Sequence, residues 1–279
     1  LIRFLRVETG SSLRPTLTAR RFASMSALLP MLLVVASAAA APAIDESKVV
    51  DLSHSFDANT LHWPTAKGFT HEVVFAGKTE GGYYYSSANF ALSEHCGTHM
   101  DAPVHFAEGR HSSDQVPLTQ LMGPAVVIDV SEAAAKDPDY RASAADILSW
   151  EKRYGRVPKE AIVLLRTGWD ARWPDRKQYM GDDSPGDASK LHFPAWAKDA
   201  AELLVEREVD AVGLDTASLD YGQSRDFIVH QVLNGANIPG LENLANLDRL
   251  PATGAFVVAA PMKIAHGTGG PVRVFAILP

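Results

Sequence analysis

From residue 44 onward the chain alternates short apolar runs with polar, Gly- and Pro-punctuated breaks. Val49-Val50-Asp51-Leu52 and residues 83–90, which open on Tyr83-Tyr84-Tyr85 and end at Phe90, have the β-branched and aromatic content of strands. The run Pro124-Ala125-Val126-Val127-Ile128-Asp129-Val130, held between Gly123 and Ser131, predicts a buried strand, as do residues 161–165 and 210–214. Residues 254–260 and 272–278 predict two more strands near the C-terminus. A helix is expected over residues 143–150, because Ser143 is a capping residue and Asp146 stands at the third helical position. Residues 194–208 read as a second helix, with Ala200, Leu203, Leu204 and Arg207 at three- and four-residue spacing. The 170–192 stretch, rich in Asp, Gly and Pro and containing Trp173 and Tyr179, reads as a long connection: an active-site lid, a dimer arm or plain surface. No repeat and no low-complexity linker divides residues 44–279, so one α/β domain is expected there.

Residues 1–43 are of another kind. Five arginines (Arg3, Arg6, Arg14, Arg20, Arg21) stand against one acid, Glu8, and residues 28–35 form an apolar run. Small residues at A-x-A spacing follow, from Ala38 to Ala43. That order predicts a cleaved secretory signal and hence a periplasmic or secreted protein. The apolar run is short of the ~20 residues that span a bilayer. Two alternatives stay open: Met25 as the true start behind translated upstream sequence, or an organelle transit peptide. Without an export signal the protein would be cytoplasmic.

The 279 residues are 46% hydrophobic and 21% charged, which suits a globular chain and not a disordered one. A formal charge of −7 argues against a nucleic-acid partner. With the basic leader removed the remainder is more acidic still. A single cysteine, Cys96, excludes an intramolecular disulfide and any cysteine-built zinc module. With no cationic neighbour in sequence, it reads as a small buried residue and not a nucleophile. Ten histidines remain to be placed.

Three of them fall in one segment, His95-Cys96-Gly97-Thr98-His99-Met100-Asp101-Ala102-Pro103-Val104-His105. Fully extended, it would spread its ligand-type side chains over roughly 33 Å, too far for one ion. The chain must turn back, most easily at Gly97 and Pro103, and reads as a curved loop that gathers imidazole and carboxylate groups around a common centre. Nitrogen and oxygen donors of this kind suit Zn²⁺, Mn²⁺ or Fe²⁺. His54, His62, His71 and His111, each isolated, are assigned to ordinary packing and solvent.

The pattern His-x-Gly-Thr-His-x-Asp-x-Pro-x-His resembles the signature of the metal-dependent cyclase family, which includes bacterial kynurenine formamidases and isatin hydrolases. Asp51-Leu52-Ser53-His54 resembles the family's N-terminal strand and Trp63-Pro64 its aromatic loop. His230 and Glu242 resemble its second ligand segment. The resemblance implies a swivelling β/β/α domain, assembled as dimers or tetramers. It implies that His95, His99 and Asp101 bind a divalent ion, Mn²⁺ or Zn²⁺, with one or two per site. His230 and Glu242 would hold a second ion with Asp101 as bridge, or else orient ligands. His105 would be the proton-transfer residue, drawing on an imidazole pKa near ~6.5.

The implied activity is metal-dependent hydrolysis of a small aryl amide, either an N-formylkynurenine-type arylformamide or an isatin-type cyclic amide. A secreted protein that binds a small carboxylate without turnover is the other reading. Trp63 and Phe69 are the candidate substrate-binding residues, with Tyr83, Tyr84, Tyr85, Phe90 and Trp173 as further aromatics. Asp215-Thr216-Ala217-Ser218 ends a predicted strand, where site residues and turn caps both occur. His266-Gly267-Thr268-Gly269-Gly270 lacks the lysine and context of a phosphate loop and reads as a turn.

Overall fold

A computed structural model describes residues 45–279. The expected leader lies outside the described residues. The first strand, β1 (Val49–Asp51), is followed by a two-stranded ribbon, β2 (Thr70–Lys78) and β3 (Tyr84–Ala91). Then come β4 (His99–Asp101), β5 (Met122–Asp129), the short helix α1 (Ser131–Ala134) and β6 (Arg141–Ala142). Helix α2 (Ala144–Tyr154), β7 (Ile162–Arg166), α3 (Arg176–Met180) and β8 (Ala195–Trp196) follow. The chain ends with α4 (Lys198–Glu206), β9 (Ala211–Leu214), α5 (Ile228–Gly235), β10 (Gly240–Glu242), β11 (Thr253–Pro261) and β12 (Gly269–Ile277).

Eight strands form one mixed sheet in the order β1-β12-β11-β5-β7-β9-β10-β4. β12 pairs with β1 through its C-terminal half and with β4 through Gly269–Pro271, which closes the sheet into a barrel-like circuit. The fold is therefore mixed α/β, as the sequence leads one to expect. The apolar runs of β5, β7 and β9 are unbroken because these parallel strands are covered on both faces. Val126, Ile128, Val163, Leu165, Val212 and Leu214 pack outward against Ile147, Trp150, Ala200, Leu204, Val229 and Leu233. Ala125, Val127, Ile162 and Leu164 point the other way, joining Leu52, Met100, Leu241 and Val274 in the barrel interior.

Helix α2 starts where the cap predicts, with the Asp146 carboxylate accepting the Ser143 backbone N–H at 2.7 Å. The helix expected over 194–208 is shorter. Ala195–Trp196 is instead strand β8, paired with Arg141–Ala142, and Trp196 is fully buried. Its ladder bonds hold this stretch extended, so the helix begins only at Lys198. The 170–192 connection is not plain surface. It carries α3, and Tyr179, Met180 and Leu191 build a third small core with Trp169 and Phe193. No helix among the described residues is long and apolar enough to cross a membrane.

Candidate active site

The 95–105 segment turns twice, at the two expected places. Gly97 adopts φ 64°, in the left-handed region, and Pro103 starts a 3₁₀ turn, Pro103–His105. Between them lies β4, a strand where a loop was expected. Its period of two sends His99 and Asp101 to one side and fully buried Met100 to the other, into the barrel interior. β10 pairs antiparallel with β4 and sets Glu242 directly opposite His99. His230 comes from α5. His95, just before the turn, packs so close to β12 that a Cβ on Gly269 would fall 2.7 Å from its ring.

Each of three imidazoles has one ring nitrogen fixed by the protein. His99 donates from Nδ1 to the Gly97 carbonyl at 2.9 Å, and His230 from Nδ1 to the Asp220 carboxylate at 2.6 Å. His95 Nε2 donates to Thr268 Oγ1 at 2.9 Å, whose own proton goes to Glu94 at 2.6 Å. The remaining nitrogens converge on two carboxylates. His95 Nδ1 and His99 Nε2 lie 2.6 and 3.2 Å from Asp101 Oδ1, and His230 Nε2 lies 3.1 Å from Asp101 Oδ2. Glu242 meets His99 Nε2 at 3.3 Å and His230 Nε2 at 3.2 Å.

This arrangement is one that a cation fits. Lone pairs of neutral imidazoles facing carboxylate oxygens in a dry site repel unless positive charge stands between them. His99 Nε2 is buried and has no hydrogen-bond partner. Burial opposes charging His99, yet the carboxylates of Asp101 and Glu242 beside it push it up to about 10, so positive charge is favoured at this point. Asp101 is driven up by burial, but positive charge at His95 and the bonds with His230 and His95 hold it well below the usual carboxylate range. Two ligand groups are close enough to share an ion, His95/His99/Asp101 and Asp101/His230/Glu242. Asp101 is common to both.

The cluster floors a cavity of about 270 Å³. His105 lines it, stacked on His95 with centroids 3.9 Å apart. Burial pushes His105 down to about 4 against the opposing charge of Asp101, with the His95 and His230 charges adding to the fall, so the imidazole is biased to its neutral form. Trp63 lines the cavity; Phe69 does not, packing instead against Phe56 and Phe90 at 5.7 and 6.2 Å. Tyr83, Tyr84, Tyr85 and Phe90 stand exposed on the β2–β3 ribbon, and Trp173 stacks on His54. The aromatic wall is instead Trp63, Phe227 and Phe106, with ring centroids 6.2 and 5.4 Å apart in turn.

Ser218, from the 215–218 stretch at the end of a strand, also lines the cavity, as do His62, Met180 and Asn243, and none of these last three stands out in the sequence as a site residue. Nor does Asp220. The one usable signal was positional: Ala217 and Ser218 follow β9 at its C-terminal end, while Asp215 serves as a cap, accepting the backbone N–H groups of Thr167, Gly168 and Trp169. The 266–270 segment is a turn only at its start: Gly269 and Gly270 already belong to β12, where pairing with β4 holds them extended, and Thr268 reaches His95. Cys96 is buried and near the carbonyl of Leu61.

The Cyclase family model matches residues 50–221, and the chain belongs to that family. Among its relatives, the isatin hydrolase of Roseibium aggregatum is 38% identical over 196 residues, 67% of this chain and 73% of that protein. The kynurenine formamidase of Salinibacter ruber is 29% identical over 232 residues, covering 81% of this chain and 95% of the relative. In three dimensions the chain is similar to isatin hydrolase A from Labrenzia aggregata bound to benzyl benzoate. The TM-score is 0.76 at 36% identity, over 82% of this chain and 93% of that one. These relatives are hydrolases, and the donor cluster has the residue types that can hold a metal ion.

Proposed function

We propose that this chain hydrolyses the amide bond of a small aryl substrate, with an isatin-type cyclic amide favoured over an N-formylkynurenine-type arylformamide. His95, His99 and Asp101 hold a divalent ion, Mn²⁺ or Zn²⁺. His230 and Glu242 hold a second ion with Asp101 or orient what binds the first. Residues 44–279 form the working domain. The observation that carries this reading is the buried, unpartnered His99 Nε2 facing two carboxylates at the floor of an aromatic-walled cavity. The preference for a cyclic amide rests on the lining. No lysine or arginine among the described residues lines the cavity, so none pairs there with the carboxylate of an amino-acid tail.

A divalent ion in this site acidifies a water and polarises the amide carbonyl. Trp63, Phe106 and Phe227 hold the aryl ring and exclude bulk solvent. His105 takes the water proton at a ring nitrogen as the new C–O bond forms. It then delivers that proton to the departing nitrogen as the C–N bond breaks, leaving an amine and a carboxylic acid that loses its own proton to solvent. Ser218 presents a hydroxyl to the cavity, while the Asn243 amide is held by the Gly97 carbonyl and the Tyr179 hydroxyl.

The test is a panel of isatin, N-formylkynurenine and simple lactones, assayed after chelation and reloading with Mn²⁺ or Zn²⁺. Turnover is expected to be highest on isatin, and His105→Ala should keep its metal while losing most of it. A chain that binds metal and carboxylates but turns over nothing in the panel is a binding protein, and the hydrolase reading falls.

A further inference from the structure

The loop that leads from β9 to α5 meets the site at three consecutive residues. Ser218 lines the cavity, the Leu219 backbone N–H donates to Glu242 Oε1 at 2.8 Å, and Asp220 stands behind His230. Asp220 is only 2% exposed, and both its oxygens are engaged. Oδ2 accepts from His230 Nδ1 at 2.6 Å and from the His230 backbone N–H at 3.1 Å. Oδ1 accepts from the Val229 backbone N–H at 3.0 Å and from Ser224 Oγ at 3.4 Å. One carboxylate therefore grips both the backbone and the ring of His230. That grip fixes the proton on Nδ1 and leaves the Nε2 lone pair aimed between Asp101 and Glu242, at 3.1 and 3.2 Å.

We infer that Asp220 is a positioning residue for the ion centre. It sets the rotation, tautomer and donor strength of His230 and, through them, the affinity of the Asp101/His230/Glu242 group. The inference rests on the metal reading given above. A carboxylate on the far nitrogen makes an imidazole a stronger donor, and removing such a partner typically lowers metal affinity ~10–100-fold. The competing role is that of a helix cap alone. Asp220 does accept two N–H groups in the first turn of α5, whose N-cap residue, Phe227, makes no side-chain cap bond.

The two roles separate in a cycle read by metal affinity. The Kd for Mn²⁺ is measured by chelator competition on wild type, Asp220→Asn, His230→Ala and the double variant, with melting of the metal-free proteins alongside. Asp220→Asn is expected to weaken Mn²⁺ binding by ~10–100-fold. In the His230→Ala background the same change should cost less than about twofold, since the residue acts only through that ring. If Asp220→Asn folds poorly, Asp220→Ser keeps a short cap acceptor for the helix but withdraws from the ring, and the same loss is expected. An affinity close to wild type in a folded variant overturns the proposal in favour of a cap. So does an equal loss with and without His230. These readouts need no substrate. Affinities that behave as expected in a chain that hydrolyses nothing would sink the hydrolase reading alone, whereas a wild type that binds no ion would sink both.

Discussion

Replacing Gly97 with alanine should destabilise the chain and, through one carbonyl, loosen His99. Gly97 sits at φ 64°, where a Cβ crowds the backbone and costs ~1–2 kcal/mol. The added methyl would also stand 2.7 and 2.8 Å from two ring carbons of Phe56 and 2.9 Å from Thr60 Cγ2. Neither neighbour gives way freely. Thr60 is buried, with its hydroxyl accepting the Asp57 N–H at 2.7 Å, and Phe56 packs edge-on against Phe69. Overpacking of this sort costs ~1–3 kcal/mol. Together the two effects predict a loss of about 2–5 kcal/mol, a large share of a domain's typical stability of ~5–15 kcal/mol. The same displacement moves the Gly97 carbonyl, which accepts from His99 Nδ1 at 2.9 Å and from Asn243 Nδ2 at 2.8 Å. Mn²⁺ affinity should therefore fall with stability. The assay is urea unfolding of chelated wild type and Gly97→Ala with matched m-values, and a Mn²⁺ titration of each folded protein. A loss below about 1 kcal/mol would refute the steric argument. A full loss with unchanged metal affinity would refute the coupling to His99.

Three further outcomes follow from the same geometry. Metal at 100 times its Kd should stabilise the chain by ~2.7 kcal/mol, so EDTA should lower the melting temperature, and Mn²⁺ or Zn²⁺ should restore it. Burial pushes His54 down to about 4 against the opposing charge of Asp51, so the folded state favours the neutral ring. That contribution is complete above the unfolded pKa near ~6.5 and is lost as pH falls from there towards 4, by ~2–3 kcal/mol. In chelated protein, His54→Phe keeps a ring against Trp173 and should flatten that part of the acid slope; an unchanged slope refutes it. Burial likewise pushes the Cys96 thiol up to about 11, so a thiol reagent at pH 8 should modify it only after denaturation, and rapid labelling of the native chain would contradict its placement.

The ligand segment was legible from residues 95–105 alone because its chemistry is local in sequence. Gly97 and Pro103 mark the two turns and the donors lie within eleven residues, whereas the strand between them, which puts His99 and Asp101 on one face, depends on pairing with β10 and β12. The doubly covered strands β5, β7 and β9 were legible for a similar reason, since burial on both faces leaves unbroken apolar runs. The extended stretch Ala195–Trp196 was not, because its conformation is decided by ladder bonds to Arg141–Ala142, more than fifty residues away in sequence. Phe69 and Trp63 look alike in sequence, yet only Trp63 reaches the cavity. Phe227 reaches it too, from a polar stretch that carries no signal. Asp220 acquires its meaning only when the turn into α5 brings it to 2.6 Å from His230. The sequence by itself determined the donor types, the turn points and the family. Closure of the sheet through β4 and β12, and the docking of α5 over its end, decided which aromatics face the cavity and which carboxylates back the imidazoles. Those contacts join residues far apart in the chain, and only packing sets their distances.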